Sequence, residues 1–146
     1  ISMIFEIRTP KTDQEWQSYY DLRYRILRQP WDQPVGSERN EGDATGVHLA
    51  LYEKGIIKAV ARLDITDESV GQVRFVAVES TEKGKGFGKL IMEAAEKNSK
   101  ERGDRKIILH ARENALEFYL KLGYRLVEKS YLLFDEIQHY LMEKEL

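Results

Sequence analysis

Apolar and polar positions along the chain fall into short segments that can be assigned in turn. Met3 to Arg8 alternates weakly and predicts a short strand. Thr12 or Asp13 can cap the next segment, with Glu15 placed to answer from the first turn. Trp16, Tyr19, Tyr20, Leu22, Tyr24, Ile26 and Leu27 then recur at spacings of three and four. That spacing predicts one amphipathic helix or two short ones, stopped by Pro30. Residues 30–46, with two prolines and several acids, predict a long polar loop, either a substrate-side lid or disordered chain.

Strand patterns follow over Val47 to Tyr52 and Ile56 to Ile65, joined at Glu53-Lys54-Gly55 as a hairpin, and over Val70 to Val78. From Gly86 to about Arg102 the period becomes helical: Phe87, Leu90, Ile91, Ala94 and Ala95 share a face, and Gly103 closes it. Lys106 to Ala111 predicts a strand. Asn114 to Leu122 predicts a helix, with Asn114 and Glu117 in a capping-box arrangement. Tyr124 to Leu146 predicts two strands turning near Asp135-Glu136. The resulting order, β, α, ββ, β, α, β, α, ββ, is that of an α/β domain with a mixed sheet of about seven strands.

Composition narrows the options. A chain of 146 residues with 42% apolar content is read as one domain, residues 1–146, with one core. The net charge of −2 gives no support for nucleic acid or an anionic membrane as the main partner. The absence of cysteine excludes disulfides, a thiol nucleophile and cysteine-ligated metal. Three scattered histidines predict no metal site. With no long apolar run, the expected location is cytoplasmic.

The most informative stretch runs from Val76 to Leu90, where a strand enters a loop with glycines at 84, 86 and 88 and a helix begins. Alternate glycines let the backbone turn its N–H groups inward, and no Cβ blocks a ligand. The helix N-terminus adds unpaired N–H groups, and Lys83, Lys85 and Lys89 add charge, so the loop predicts a phosphate or pyrophosphate receptor. A dinucleotide fingerprint would need glycine where Lys89 stands, and a Walker loop would need Ser or Thr where Leu90 stands.

Val76 to Leu90 resembles the signature Gln/Arg-x-x-Gly-x-Gly/Ala of the GNAT superfamily of N-acetyltransferases, with Lys83 where Gln or Arg is usual. Asn114 to Tyr124 resembles its second signature through Ala115, Phe118-Tyr119, Gly123 and Tyr124, although Arg112 occupies the position of the leading Asn. Leu22 to Arg25 and Gln138 to Met142 further resemble the ElaA-type branch.

The resemblance implies an acyltransferase that moves an acetyl group from acetyl-CoA to a primary amine of a small molecule or peptide. Lys83, Gly84, Lys85, Gly86, Phe87, Gly88 and Lys89 would hold the pyrophosphate. Val76, Ala77 and Val78 would pair with pantetheine amides, Asn114 and Tyr119 would complete the donor site, and a splay between Val78 and His110 would expose the thioester. The amine, of pKa ~10.4, must lose a proton, and a leaving thiolate like one of pKa ~8.5 must gain one. Tyr119 is the expected general acid, and Glu79, with His110 as rival, the expected base or water anchor. The acids Asp32, Glu38, Glu41 and Asp43 in the long loop would suit a cationic acceptor. Two other readings stay open: a non-catalytic acyl-CoA-binding sensor domain, and a nucleotide-binding module. A homodimer through the last strands is also open.

Overall fold

The computed structural model describes residues 5–66 and 68–146. Seven strands form one sheet: β1 (Phe5–Arg8), β2 (Val47–Glu53), β3 (Ile56–Ile65), β4 (Val70–Val78), β5 (Lys106–Arg112), β6 (Arg125–Leu133) and β7 (Ile137–Glu145). Their order is β1-β2-β3-β4-β5-β7-β6, and every neighbouring pair is antiparallel except β4 with β5. The expected mixed sheet is therefore present. Met3 and Ile4, the start of the first expected strand, lie outside the described residues.

Both faces of the central strands are covered, which explains why β2 and β3 are apolar in long runs rather than strictly alternating. Leu49, Leu51, Ala59, Ala61 and Leu63 meet Phe87, Ile91, Met92 and Ala95 of α2 (Phe87–Glu101), with α3 (Leu116–Lys121) on the same side. The alternate residues Ala50, Tyr52 and Val60, with Ala77 of β4, meet Tyr19, Leu22 and Leu27 of α1 (Asp13–Leu27).

The capping box at the start of α1 forms as expected. Thr12 Oγ1 accepts from the Glu15 N–H at 3.1 Å, and the Glu15 carboxylate accepts from the Thr12 N–H. The box read at Asn114 and Glu117 does not form. Residues 113–115 make a 3-10 turn directly after β5, and α3 begins at Leu116 without a side-chain cap. Arg112 occupies the extended position before that turn, and a guanidinium has no acceptor oxygen to offer. Asn114 is exposed within the turn.

Residues 30–46 pack against the α1 face of the sheet. A 3-10 turn, Glu41–Ala44, is closed by Asn40, whose Oδ1 accepts from the Gly42 N–H at 3.0 Å. Asp43 Oδ1 accepts from Arg23 of α1 at 2.9 Å and from Arg62 of β3 at 2.7 Å; both arginine side chains are fully buried. His48 joins the same knot. Its Nε2 lies 2.9 Å from the Asp43 carbonyl, which can only accept, so Nδ1 is left to accept from the Tyr19 hydroxyl at 2.8 Å. His48 is structural, and two of the four acids expected to greet a cationic acceptor are engaged inside the fold, Asp43 here and Glu38 with Arg39, whereas Asp32 and Glu41 are exposed.

Candidate active site

The parallel pairing of β4 with β5 runs from Val70/Lys106 to Val73/Leu109 and stops. Beyond it, β4 stays with β3 as far as Val78, and β5 stays with β7 as far as Arg112. The two halves of the sheet therefore part, and the edge of β4 from Arg74 onward has no strand partner on the β5 side.

A bulge drives this separation. The register against β3 jumps between Val60 and Arg62, so Phe75 and Val76 together oppose Ala61. Phe75 takes a φ of +56°, which costs an ordinary side chain roughly 1–2 kcal/mol. Its ring is held from several sides, by guanidinium carbons of Arg23 at 4.3 Å, Arg62 at 5.0 Å and Arg28 at 5.5 Å. Backbone strain fixed by its surroundings in this way clusters at functional sites.

Where the strands part lies a cleft of about 360 Å³. Leu27 and Arg28 from the end of α1 line one side; Phe75 and Val76 line another; His110, Arg112, Tyr119, Tyr131 and His139 complete the wall. Tyr119 packs edge-on against Phe118 and Tyr124, with centroids 4.9 Å and 5.7 Å away. Among the described residues no group hydrogen-bonds its hydroxyl. Burial raises its pKa, partly offset by the charge of Arg112, so the phenol is protonated at neutral pH.

Burial lowers the pKa of His110, with Arg74 adding to the effect, so its imidazole is neutral at pH 7. Its Nδ1 lies 2.9 Å from Ser130 Oγ. His139 directs Nδ1 at the Ile137 carbonyl at 3.0 Å and stacks on Tyr131 at 4.4 Å, and burial lowers its pKa too.

Glu79 lies elsewhere. It is outside the cleft lining, and both its carboxylate oxygens accept from Arg25, at 2.9 Å and 3.0 Å. Those bonds hold its pKa below the ordinary carboxylate value, which weakens it as a base.

At the glycine loop, Gly84 and Gly86 have φ of +84° and +85°, in the left-handed region that a side chain disfavours. A Cβ built on either would meet no atom within 4 Å, so space stands open there. Gly88 differs: a Cβ would lie 3.0 Å from Phe118 Cζ, so this glycine allows α2 to approach α3. No side chain caps α2, and its first internal bond runs from Leu90 N–H to the Gly86 carbonyl at 3.1 Å. The N–H groups of Phe87, Gly88 and Lys89 have no partner within the helix, as anion-binding helix ends require. Lys83 and Lys89 are exposed, whereas Lys85 donates to Glu82 at 2.6 Å. Of the strand residues expected to meet the donor, Val76 lines the cleft, Val78 packs toward α2 and Ala77 is buried under α1.

Residues 31–146 match the family description of an acetyltransferase (GNAT) domain. The chain belongs to the GNAT acetyltransferase family. A Bacillus subtilis (strain 168) protein named as an acetyltransferase is 28% identical over 137 residues, covering 92% of each chain. The structure of Escherichia coli ElaA superposes with a TM-score of 0.81 at 17% identity, covering 97% of this chain and 98% of that one. An aminoglycoside 6'-N-acetyltransferase complexed with coenzyme A gives 0.81 at 17% identity, covering 98% and 97%. These two structures share the GNAT fold with the chain, which confirms the fold expected from the motifs.

Among the described residues no helix is long and apolar enough to cross a membrane, and no three His, Asp or Glu side chains group as metal ligands. The cleft also contains residues that the motifs did not nominate, chiefly Arg28, Arg112, Tyr131 and His139. Arg112 stood out in the sequence only as a departure from the family pattern. His139 reaches the cleft because β7 inserts beside β5 and sets it opposite Arg112, an order of strands that no local pattern encodes.

Proposed function

We propose that this protein transfers an acetyl group from acetyl-CoA to a primary amine by direct attack. The observation that carries this reading is the parting of β4 and β5 between an uncapped, glycine-lined helix start and the hydroxyl of Tyr119. The pyrophosphate would take the N–H groups of Phe87, Gly88 and Lys89, with Lys83 and Lys89 adding charge. The pantetheine arm would lie along the unpaired edge of β4 at Val76 to Val78, its amides bonding the backbone as an added strand does. CoA is a substrate here, and the thioester would arrive in the cleft.

The amine nitrogen attacks the thioester carbonyl, forming the C–N bond, and collapse of the tetrahedral centre breaks the C–S bond. His110 is the stronger base of the two expected, since it lines the cleft with a neutral imidazole; Glu79 would serve to anchor Arg25 at the end of α1. Tyr119 gives its proton to the departing sulfur and recovers one from solvent. Asn114, exposed in its turn, would touch only the outer part of the donor.

The test mixes purified protein, acetyl-CoA and a panel of primary amines, reading free thiol and the mass of the product. Acetylated amine appearing in step with thiol supports the proposal. Acetyl-CoA that binds but is never consumed, with any amine, would instead identify a non-catalytic acyl-CoA-binding domain.

A further inference from the structure

The cleft carries cations without carboxylates. Arg28, Arg74 and Arg112 line it beside the uncharged imidazoles of His110 and His139, and none of its lining residues is Asp or Glu. This contrasts with the rest of the chain, in which most arginines are in ion pairs: Arg8, Arg23, Arg25, Arg39, Arg62, Arg102 and Arg125 each have an acidic partner. Among the described residues, the arginines in no ion pair are Arg28, Arg74 and Arg112 of the cleft, and Arg105, which is exposed just before β5.

Arg28 and Arg112 are held in place by the backbone. Arg28 Nη1 and Arg112 Nη2 both donate to the Leu27 carbonyl, at 2.9 Å and 3.0 Å, which sets two guanidinium groups side by side. Arg28 Nε also donates to the Ser37 carbonyl at 3.0 Å, and Arg112 stacks on Trp31 at 4.5 Å. These contacts fix the guanidinium planes but supply no negative charge. Burial and the neighbouring cations lower the pKa of both, to about 10 for Arg112, as expected of unneutralised charge. Two partly buried like charges set side by side are costly, and an anionic ligand with planar, forked acceptors relieves that cost best.

Resting on the acyltransferase reading above, we infer that the acceptor is an amine of amino-acid size that also carries a carboxylate, held by Arg28 and Arg112 with Arg74 at the mouth. The walls beside these arginines are Leu27, Phe75, Tyr131 and Leu133, which suit an apolar or aromatic body between the amine and the enzyme. The arrangement reverses the expectation of a cationic acceptor drawn from the acids of residues 30–46.

The test compares matched acceptors, phenylalanine against phenethylamine, in the acetyl-transfer assay. The carboxylated member is expected to have the higher kcat/KM by about tenfold to a hundredfold, the worth of one charge-assisted hydrogen bond. Arg28→Gln and Arg112→Gln should each bring that ratio toward one, while Arg105→Gln leaves it unchanged, with circular dichroism confirming the fold. Titration of N-acetylphenylalanine and N-acetylphenethylamine into the CoA-loaded protein gives the same comparison without turnover. Equal or better use and binding of the neutral member overturns the inference while the acyltransferase reading stands. A protein that binds no acetyl-CoA overturns both.

Discussion

Replacing Tyr119 by Phe separates chemistry from folding in this protein. The ring sits edge-on to Phe118 and Tyr124, and those contacts survive loss of the oxygen. Among the described residues nothing hydrogen-bonds the hydroxyl, so no buried partner is left unsatisfied. Stability should change by less than about 1 kcal/mol. For a chain of this size that is a shift in Tm of less than about 4 °C. The chemical cost is larger. A thiolate leaving without an acid loses general-acid catalysis, worth typically 10²–10⁴-fold. The measurement is kcat from thiol release at saturating acetyl-CoA, alongside Tm and the Kd for acetyl-CoA. The account predicts kcat at least about a hundredfold lower, with Tm and Kd close to those of the parent. A donor whose thiol is more acidic than CoA should recover part of the loss, because it needs the proton less. A kcat within about threefold of the parent would refute the assignment of Tyr119 as the acid.

Asp43→Asn should destabilise the fold by about 3 kcal/mol, because it leaves Arg23 buried without a carboxylate, although Arg62 keeps Asp64. That corresponds to a fall in Tm of roughly 6–12 °C by calorimetry. Burial raises the Asp43 pKa, but bonds from Arg23 and Arg62 more than offset this and leave it below the ordinary value. Its stabilisation is therefore present at neutral pH and is lost as pH falls below about 4, so the parent and Asp43→Asn melting curves should converge in acid. The pH profile of kcat/KM should show an acid limb below about 6.5, since burial and Arg74 keep the His110 pKa under that of a free imidazole and protonation removes the base. The limb should vanish in His110→Gln; an unchanged profile would point to His139.

The fold was legible because its signals are local. Thr12 and Glu15 announce a helix start that forms as read, and the covered strands β2 and β3 announce themselves by apolar runs. The glycine loop was legible for the same reason: a left-handed φ at residues 84 and 86 is a property of the residue itself. Asn114 misled because a capping pattern also needs an extended backbone, and Arg112 holds that position. Glu79 looked available because nothing in its neighbourhood along the chain reveals Arg25, which is 54 residues away and closes on it through the packing of α1 on the sheet. The wall of the cleft was hidden likewise. Arg28, Arg74, Arg112 and His139 come from four separate elements or connections, and only the insertion of β7 beside β5 and the bulge at Phe75 bring them together.

The central claim is that the loop from Lys83 to Lys89 and the parted strands receive acyl-CoA, and calorimetric titration with acetyl-CoA, ATP and NAD tests it most directly. The account predicts saturable binding of acetyl-CoA and not of the two nucleotides. Gly86→Val should weaken it by at least about tenfold, since a β-branched residue resists the +85° φ and fills the space left for the ligand. No binding of acetyl-CoA, or equal binding of ATP or NAD, would contradict the account and leave the GNAT fold without the donor site argued for it.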